Sequence, residues 1–127
     1  RCIVEMTLIN QLNAGKITLD ALRISTVTGL IDFFGENCSR ITTLNLLKFH
    51  QIKDNDIKKL SNYFTKINQF LLKKSVITNK SVIYLEKMII PTSLDLSGCN
   101  QINDITIQLL HDQGVVIIPV PPYLYSQ

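Results

Sequence analysis

The 127-residue chain has no tryptophan, only three cysteines and only two histidines. The cysteines, Cys2, Cys38 and Cys99, are odd in number and form no C-x-x-C pair, so the sequence predicts neither a disulfide framework nor a zinc site. We therefore expect an intracellular, cytoplasmic location. The longest apolar run, 115–120, is far shorter than the roughly 18–20 residues that cross a bilayer, so no membrane association is expected. Because the chain starts with Arg1 and shows no basic-then-apolar leader, we expect a monomeric fragment of a longer protein.

Residues that carry out chemistry are also scarce and scattered. His50 lies in a predicted turn and His111 near the end of a predicted helix. No glycine-rich phosphate loop, nucleophile elbow or cluster of metal ligands occurs in the sequence. The sequence therefore predicts no catalytic residues, no cofactor, no metal site, and a protein that is not an enzyme. Cys38 is placed at a helix end, where partial exposure would permit a reactive role.

The charge is modest but unevenly distributed. The net charge is +3, and nine lysines lie between Lys48 and Lys87 against only Asp54, Asp56 and Glu86. The simplest interpretation is a set of solvated helix faces, and the alternative is a surface that attracts an acidic partner. Nucleic-acid binding would show steep salt dependence. The scarcity of arginine and aromatic residues in this stretch counts against it, so no nucleic-acid partner is expected.

An internal repeat dominates the sequence. Residues 44–60 and 94–110 match at an offset of 50 residues. The matching pairs are Leu44 with Leu94, Leu46 with Leu96, Gln51 with Gln101, Ile52 with Ile102, Asp54 with Asp104, Ile57 with Ile107, and Leu60 with Leu110. Half of this offset predicts a copy in between, and residues 70–85 supply it. A shorter and weaker copy starts at Leu22 and runs through Phe34.

Each copy combines a short strand with a helix. The L-x-L segment alternates as a strand with its leucines on one face, and the following turn supplies another inward residue, which is Cys99 in the last copy. Asp54, Asn79 and Asp104 are predicted N-caps of the helices that follow. One such unit cannot bury both apolar faces alone. Stacked units therefore form a parallel sheet on one side and a layer of helices on the other.

The sequence thus predicts a single α/β domain over residues 1–127, a solenoid with its parallel sheet on the concave side and its helices on the convex side. Residues 1–20 form an N-terminal helical cap that ends near Gly15, residues 21–113 hold about four repeats, and residues 114–127 form a last strand and a proline-rich exit. The strands are expected near 21–25, 43–47, 69–73, 93–97 and 115–118, and the helices near 3–13, 28–37, 54–64, 79–89 and 104–113.

A family resemblance rests on the last copy, which reads Leu94-Asp-Leu96-Ser-Gly-Cys99-Asn-Gln-Ile102-Asn-Asp104. It resembles the cysteine-containing class of leucine-rich repeats, in which L-x-x-L-x-L-x-x-C leads through an Ile-Thr-Asp step into a helix. The resemblance covers roughly residues 20–118 and implies a leucine-rich-repeat solenoid, a short horseshoe. The copies are similar to the repeats of F-box substrate receptors in cullin-type ubiquitin ligases, and of effectors from intracellular bacteria. Phe49 and Ser75 replace the cysteine in two copies, which changes packing and not chemistry.

The repeat register also selects a binding surface. Residues between the inward leucines point out from the concave sheet. The candidate partner-binding residues are Arg23, Ser25, Asn45, Leu47, Gln69, Leu71, Lys73, Asp95 and Ser97. Leu47 and Leu71 stand out because adjacent exposed leucines on a sheet can anchor a partner. Two isolated surface leucines are the alternative interpretation.

We therefore expect a protein–protein interaction module that binds another protein through its concave sheet. The resemblance implies substrate recognition for a ubiquitin ligase, as an F-box-like receptor or adaptor, or a host-directed bacterial effector in the host cytoplasm. The alternative is a structural repeat extension that stabilises a neighbouring domain. Nucleic-acid binding through the Lys48–Lys87 region is the least favoured alternative.

Overall fold

The computed structural model describes residues 2–120, and for residues 2–5 and 90–92 it describes the backbone alone. The described chain forms the helices α1 (Cys2–Asn13), α2 (Val27–Phe34), α3 (Asp54–Ser61), α4 (Val82–Met88) and α5 (Asp104–Asp112). It forms the strands β1 (Thr43–Asn45), β2 (Ile67–Leu71), β3 (Ile89–Asp95) and β4 (Val116–Ile118). Two 3₁₀ segments, Gly35–Arg40 and Asn79–Ser81, precede β1 and α4. Pro121 and Pro122, part of the expected proline-rich exit, lie outside the described residues.

The strands form one parallel sheet in the order β1-β2-β3-β4, which is the order of the chain. Parallel neighbours require a crossover, and α3, α4 and α5 supply the three that join these strands. The helices α2 to α5 likewise contact one another in chain order. The described chain is therefore α/β with a parallel sheet, as the sequence predicted, but it has four strands and not the five expected. No helix within residues 2–120 is long and apolar enough to span a bilayer.

The core lies between the sheet and the helices. Leu44, Phe70, Leu94 and Ile117 share one register row across the four strands, and all are buried. The helices contribute the buried residues Ile57, Leu60, Leu85, Met88 and Leu110. Removing each large apolar side chain from water contributes about 1.5–3 kcal/mol. Burial of these side chains therefore stabilises the packing of the helices on the sheet, and the predicted inward alternation of the strand residues is confirmed.

The strand expected at 21–25 does not form. Backbone hydrogen bonds within 18–24 make a compact turn instead, and Arg23 adopts the left-handed conformation at φ 58°. A side-chain cap from Thr26 then starts α2. The N–H groups of Leu22, Arg23 and Ile24 bond within this turn, so they do not pair with β1. Arg23 and Ser25 therefore do not lie on a strand, which corrects their predicted placement.

Asn13, the last residue of α1, bonds to the start of β1. Its side-chain oxygen accepts from Thr42 N at 2.8 Å and from Thr43 N at 3.4 Å, and its side-chain nitrogen donates to the Arg40 carbonyl at 3.0 Å. Gly15, at φ 72°, reverses the chain after α1 without the steric cost that a side chain would bring. The predicted helix at 3–13 is thus confirmed, and its end holds the first strand in place.

The predicted N-caps are wrong by one residue. The observed cap positions are Lys53, Thr78 and Asn103. Asn103 Oδ1 accepts from Thr106 N at 2.9 Å, and Thr78 Oγ1 accepts from Lys80 N at 3.2 Å. Asp54 and Asp104 are instead the first residues of their helices, and Asn79 opens a 3₁₀ turn.

Asp54 and Asn79 connect successive units. Asp54 Oδ1 accepts from Thr78 N at 2.8 Å, Thr78 Oγ1 donates to Asp54 Oδ2 at 2.6 Å, and Ser81 Oγ also donates to this carboxylate. Asn79 Oδ1 accepts from Asn103 N at 3.0 Å. Both acceptors reach a backbone N–H that lies 24 positions later in the chain. The helical segments that begin at Asn79 and Asp104 are therefore each held at their start by a side chain of the preceding unit.

The surroundings of Asp54 favour its charged form. Burial raises the pKa of this carboxyl group, but hydrogen bonds from Ser81 and Thr78 and the positive charge of Lys80 outweigh burial and hold the pKa below its ordinary value. Ser81 is buried, so its hydroxyl requires an acceptor inside the protein. Asp54 supplies that acceptor, which makes it a structural carboxylate.

Candidate functional site

The sheet surface opposite the helices, here called the outer face, carries two rows of side chains that alternate with the buried rows. One row consists of Thr43, Gln69, Ser93 and Val116, and the other of Asn45, Leu71, Asp95 and Ile118. None of these eight residues is buried. The outer face is therefore the accessible surface of the sheet.

The structure brings most of the predicted binding residues together on the outer face. These are Asn45, Leu47, Gln69, Leu71, Lys73, Asp95 and Ser97. Leu47, Lys73 and Ser97 lie just beyond the strand ends, each after a buried leucine. Arg23 and Ser25 lie in the segment before α2 and do not join the register rows.

Asn45 and Asp95 also shape the ends of their strands. Asn45 Oδ1 accepts from Leu47 N at 3.0 Å, and Asp95 Oδ1 accepts from Ser97 N at 2.9 Å. Such bonds to the backbone two residues later are Asx turns, and they hold the side chain in one orientation. Leu71 occupies the equivalent position in β2 and cannot make this bond. In this row the apolar Leu71 therefore lies between the fixed polar side chains of Asn45 and Asp95.

A groove runs over the outer face beside the segment that follows α1. At one end lies a pocket of about 150 Å³, the Leu47 pocket, lined by Thr18, Leu19, Asp20, Asn45, Leu47, Lys48 and Phe49. At the other end lies a pocket of about 200 Å³, the Leu71 pocket, lined by Leu12, Gly15, Ile17, Thr18, Leu19, Thr43, Asn45, Gln69 and Leu71. The two pockets share Thr18, Leu19 and Asn45, so they are parts of one groove.

One wall of this groove was missed by the sequence analysis. This wall consists of Ile17, Thr18 and Leu19. They lie before the first repeat, so the repeat pattern does not predict their position. Leu19 is buried and Ile17 is half-buried against the core. Their apolar alternation is the only signal in the sequence for this wall, and it is too short to place them beside the sheet.

The two outer leucines do not form the exposed pair that the sequence predicted. Leu47 is 40% exposed, whereas Leu71 is half-buried. Each lines its own pocket, and Asn45 lines both pockets. The leucines therefore belong to successive parts of one groove.

The nine lysines between Lys48 and Lys87 are all exposed. Lys58 and Lys59 lie on α3 and Lys87 on α4, whereas Lys48 and Lys73 lie at the ends of β1 and β2. The helices and the outer face are on opposite sides of the core, so these lysines form no single cationic stripe. Their placement agrees with solvated surface positions.

Both cysteines with described side chains are buried. Cys99 Sγ lies 3.2 Å from Ser75 Oγ and donates to the Leu72 carbonyl at 3.3 Å, which confirms its predicted core position. Cys38 is only 1% exposed, so its expected partial exposure is wrong. Burial raises the pKa of the Cys38 thiol to about 11, and the thiol is therefore protonated and unreactive at neutral pH.

The titratable groups that line the groove are few. Lys48 Nζ and Asp20 Oδ2 lie 3.6 Å apart at the Leu47 pocket, with both side chains largely exposed to solvent. His111 does not line the groove. It lies at the end of α5, where its Nδ1 is 3.7 Å from Asp112 Oδ1. Across residues 2–120, no group of three or more His, Cys, Asp or Glu side chains is placed to hold a metal ion. Asp20 and Lys48 are the charged residues among those that line the two pockets of the groove.

Comparisons with models of known protein families, with curated proteins and with solved structures gave no match. Leu19, Leu47 and Leu71 are apolar residues that line the groove, and Asn45 lines both of its pockets.

Proposed function

We propose that this chain is a leucine-rich-repeat solenoid of the cysteine-containing class, and that it binds another protein through its outer face. The sequential order of the parallel strands supports the solenoid, because stacked units place each strand beside the next one in the chain. The hydrogen bonds that Asp54 and Asn79 accept from the following unit support the same interpretation.

The observation that carries the binding proposal is the groove on the outer face. It combines the exposed Leu47, the half-buried Leu71 and the oriented side chain of Asn45 within a few strand widths. Protein interfaces are anchored by such apolar pockets with polar edges. The proposed function is that of an intracellular interaction module that uses no cofactor and is not an enzyme.

The resemblance to F-box receptors and bacterial effectors extends this proposal. If the chain is an F-box-like receptor, the bound protein is a substrate of a ubiquitin ligase. If the chain is a bacterial effector, the bound protein is a host protein. Both versions use the outer face for recognition, so one experiment on that face tests the feature they share.

Site-specific photo-crosslinking tests the use of the outer face. A benzoylphenylalanine at Gln69, on the outer face, should crosslink the chain to a partner protein in the cytosol of the source cell or, for an effector, of its host cell. The same group at Lys59, exposed on α3, serves as the control and should not. Leu47→Glu should abolish the Gln69 product, whereas Ile83→Glu, at an exposed position of α4, should leave it intact. Equal crosslinking from Gln69 and Lys59, or no effect of Leu47→Glu, would contradict the proposal.

A structural extension remains the second candidate, and β4 favours it. Val116 is 54% exposed and Ile118 is 43% exposed on this terminal strand, where the preceding strand carries Ser93 and Asp95 in the same rows. An apolar edge strand is a template for further packing against a neighbour. If this candidate is correct, crosslinks will form from Val116 to another part of the same polypeptide, and the Gln69 position will yield no partner.

A further inference from the structure

The Leu47 pocket has the size and composition of a site for one large apolar side chain. Its volume is about 150 Å³, and cavities of about that size lined by apolar side chains accommodate benzene. Leu19 is buried, Leu47 is 40% exposed and Phe49 is half-buried, so apolar groups form much of its lining. A leucine or phenylalanine side chain would fill this space and cover Leu47.

The charge beside this pocket is positive. Lys73 holds the position in the second unit that Leu47 holds in the first, and neighbouring strands are separated by about 4.8 Å. Lys48 at the pocket mouth is already paired with Asp20 at 3.6 Å. Within residues 2–120, Lys73 forms no ion pair. Asp95, the acidic residue of the outer face on β3, has one carboxylate oxygen committed to Ser97 N.

The backbone that carries Lys73 is held in place. Lys74 N donates to the Ser97 carbonyl at 2.7 Å, and Lys74 adopts the left-handed conformation at φ 62°. Gly98 permits this close approach, because a Cβ there would lie 3.0 Å from Lys74 Cγ and 3.4 Å from Lys74 Cα. Lys73 thus extends from a backbone that is held at the strand end, which lowers the backbone entropy lost when a partner binds.

We propose that the outer face recognises a protein segment that places a large apolar side chain in the Leu47 pocket and a carboxylate against Lys73. This proposal rests on the proposed function and names the chemistry of the partner. The segment crosses from β1 to β2, with its apolar anchor on the Lys48–Asp20 side and its acidic residue on the β2 side.

Titration with short synthetic peptides tests this directly. The probe is a blocked peptide with one phenylalanine between two pairs of aspartates, so that either chain direction presents a carboxylate to Lys73. It is added to the isotope-labelled chain, and amide shifts are followed by NMR. Saturable shifts should centre on Leu19, Leu47 and Lys73. Two control peptides carry glycine in place of phenylalanine, or lysines in place of the aspartates, and both should bind at least about tenfold more weakly.

Variants of the chain separate the two parts of the site. Leu47→Asn should weaken binding of the phenylalanine peptide about tenfold, because it puts a polar side chain of similar size in the pocket and leaves the net charge unchanged. Lys73→Glu should weaken it about three- to tenfold, in keeping with an exposed ion pair turned repulsive. Lys59→Glu, which makes the same charge change on α3, should leave the affinity unchanged.

The results that would overturn the inference are distinct from failure of the proposed function. If the glycine control peptide binds as tightly as the phenylalanine peptide, the pocket does not take part in recognition. If Lys59→Glu weakens binding as much as Lys73→Glu, the effect of charge is non-specific. Absence of any saturable shift overturns the inference as a whole. In each of these cases crosslinking from Gln69 can still succeed, which would leave the outer face as a binding surface with a different partner chemistry.

Discussion

Two junctions, the places where one repeat unit is hydrogen-bonded to the next, have different side chains at equivalent positions. They therefore differ in the hydrogen bonds that they form. At the first, Asp54 accepts hydrogen bonds from Thr78 N, Thr78 Oγ1 and Ser81 Oγ. At the second, 25 positions later, Asn79 accepts one bond, from Asn103 N at 3.0 Å. The backbone bond is common to both junctions, and the two hydroxyl bonds belong to the first alone.

The difference shows how one geometry can carry a charged or a neutral junction. A carboxylate offers two acceptor oxygens, whereas an amide offers one acceptor and two donors. Ser81 at the first junction is fully buried, and its hydroxyl would be left without an acceptor if Asp54 were absent. The charged junction therefore carries more stability than the neutral one, and this stability depends on pH.

Of the substitutions at the two junctions, Asp54→Ala should lower the stability of the protein most. It removes three hydrogen bonds and leaves a buried hydroxyl without an acceptor, so we expect a loss of about 3 kcal/mol in the free energy of unfolding. Urea unfolding at neutral pH measures it. Asp32→Ala, at an exposed carboxylate of α2, is the control and should change stability by less than about 0.5 kcal/mol. Equal losses in the two variants would show that the junction contributes little.

Acid should weaken the first junction and spare the second. The folded-state pKa of Asp54 lies below its unfolded-state value of about 4, so its contribution is complete above that value and is lost as the pH falls through the lower, folded-state pKa. Asp54→Asn should therefore show a shallower loss of stability than the wild type below pH 4 or so. Unfolding curves at a series of acidic pH values test this, and parallel pH profiles would refute it.

Ser81→Ala should have an intermediate effect. It removes one bond to a charged acceptor and keeps the two from Thr78, so a loss of about 1.5 kcal/mol is expected by chemical denaturation. Ser61→Ala is the matched control, because Ser61 is also buried but its hydroxyl donates only to the Lys58 carbonyl. If Ser61→Ala lowers the free energy of unfolding as much as Ser81→Ala, the hydrogen bond to Asp54 contributes no more than a bond to a neutral carbonyl.

Asn79→Ala should have the smallest effect of the series. One neutral bond at the second junction is lost, and we expect about 1 kcal/mol. Hydrogen exchange at the Asn103 amide should accelerate, because this N–H loses its acceptor. The same exchange rate at Thr78 N should be unchanged, since that amide depends on Asp54. Faster exchange at both amides would indicate that the two junctions open together.

Much of the fold follows from the repeat. The spacing of Leu44, Leu94 and their equivalents predicted the parallel sheet and the buried row that the structure contains. The strand predicted at 21–25, near the start of the weak copy, does not form. Its apolar residues fit the pattern, but the turn at 18–24 satisfies the backbone locally, and hydrophobic spacing does not report where the hydrogen bonds go.

The candidate site was predicted less completely than the fold. The alternation of side chains along a strand placed Asn45, Gln69 and Leu71 on the outer face, because a strand has a period of two residues. It did not reveal that Leu19 and Phe49 complete the Leu47 pocket. Those residues approach from a cap segment and a turn, whose paths depend on packing and not on periodicity.

The sequence by itself determined the repeated unit, the inward and outward sets of strand residues and the burial of Cys99. These follow from local periodicity, which every unit displays independently. Only the tertiary structure decided where the sheet begins, which side chains join one unit to the next, and that the segment after α1 closes one side of a groove. Each of these depends on contacts between residues far apart in the chain, such as Asn13 with Thr42 and Asp54 with Thr78. Such contacts become visible when the units are stacked.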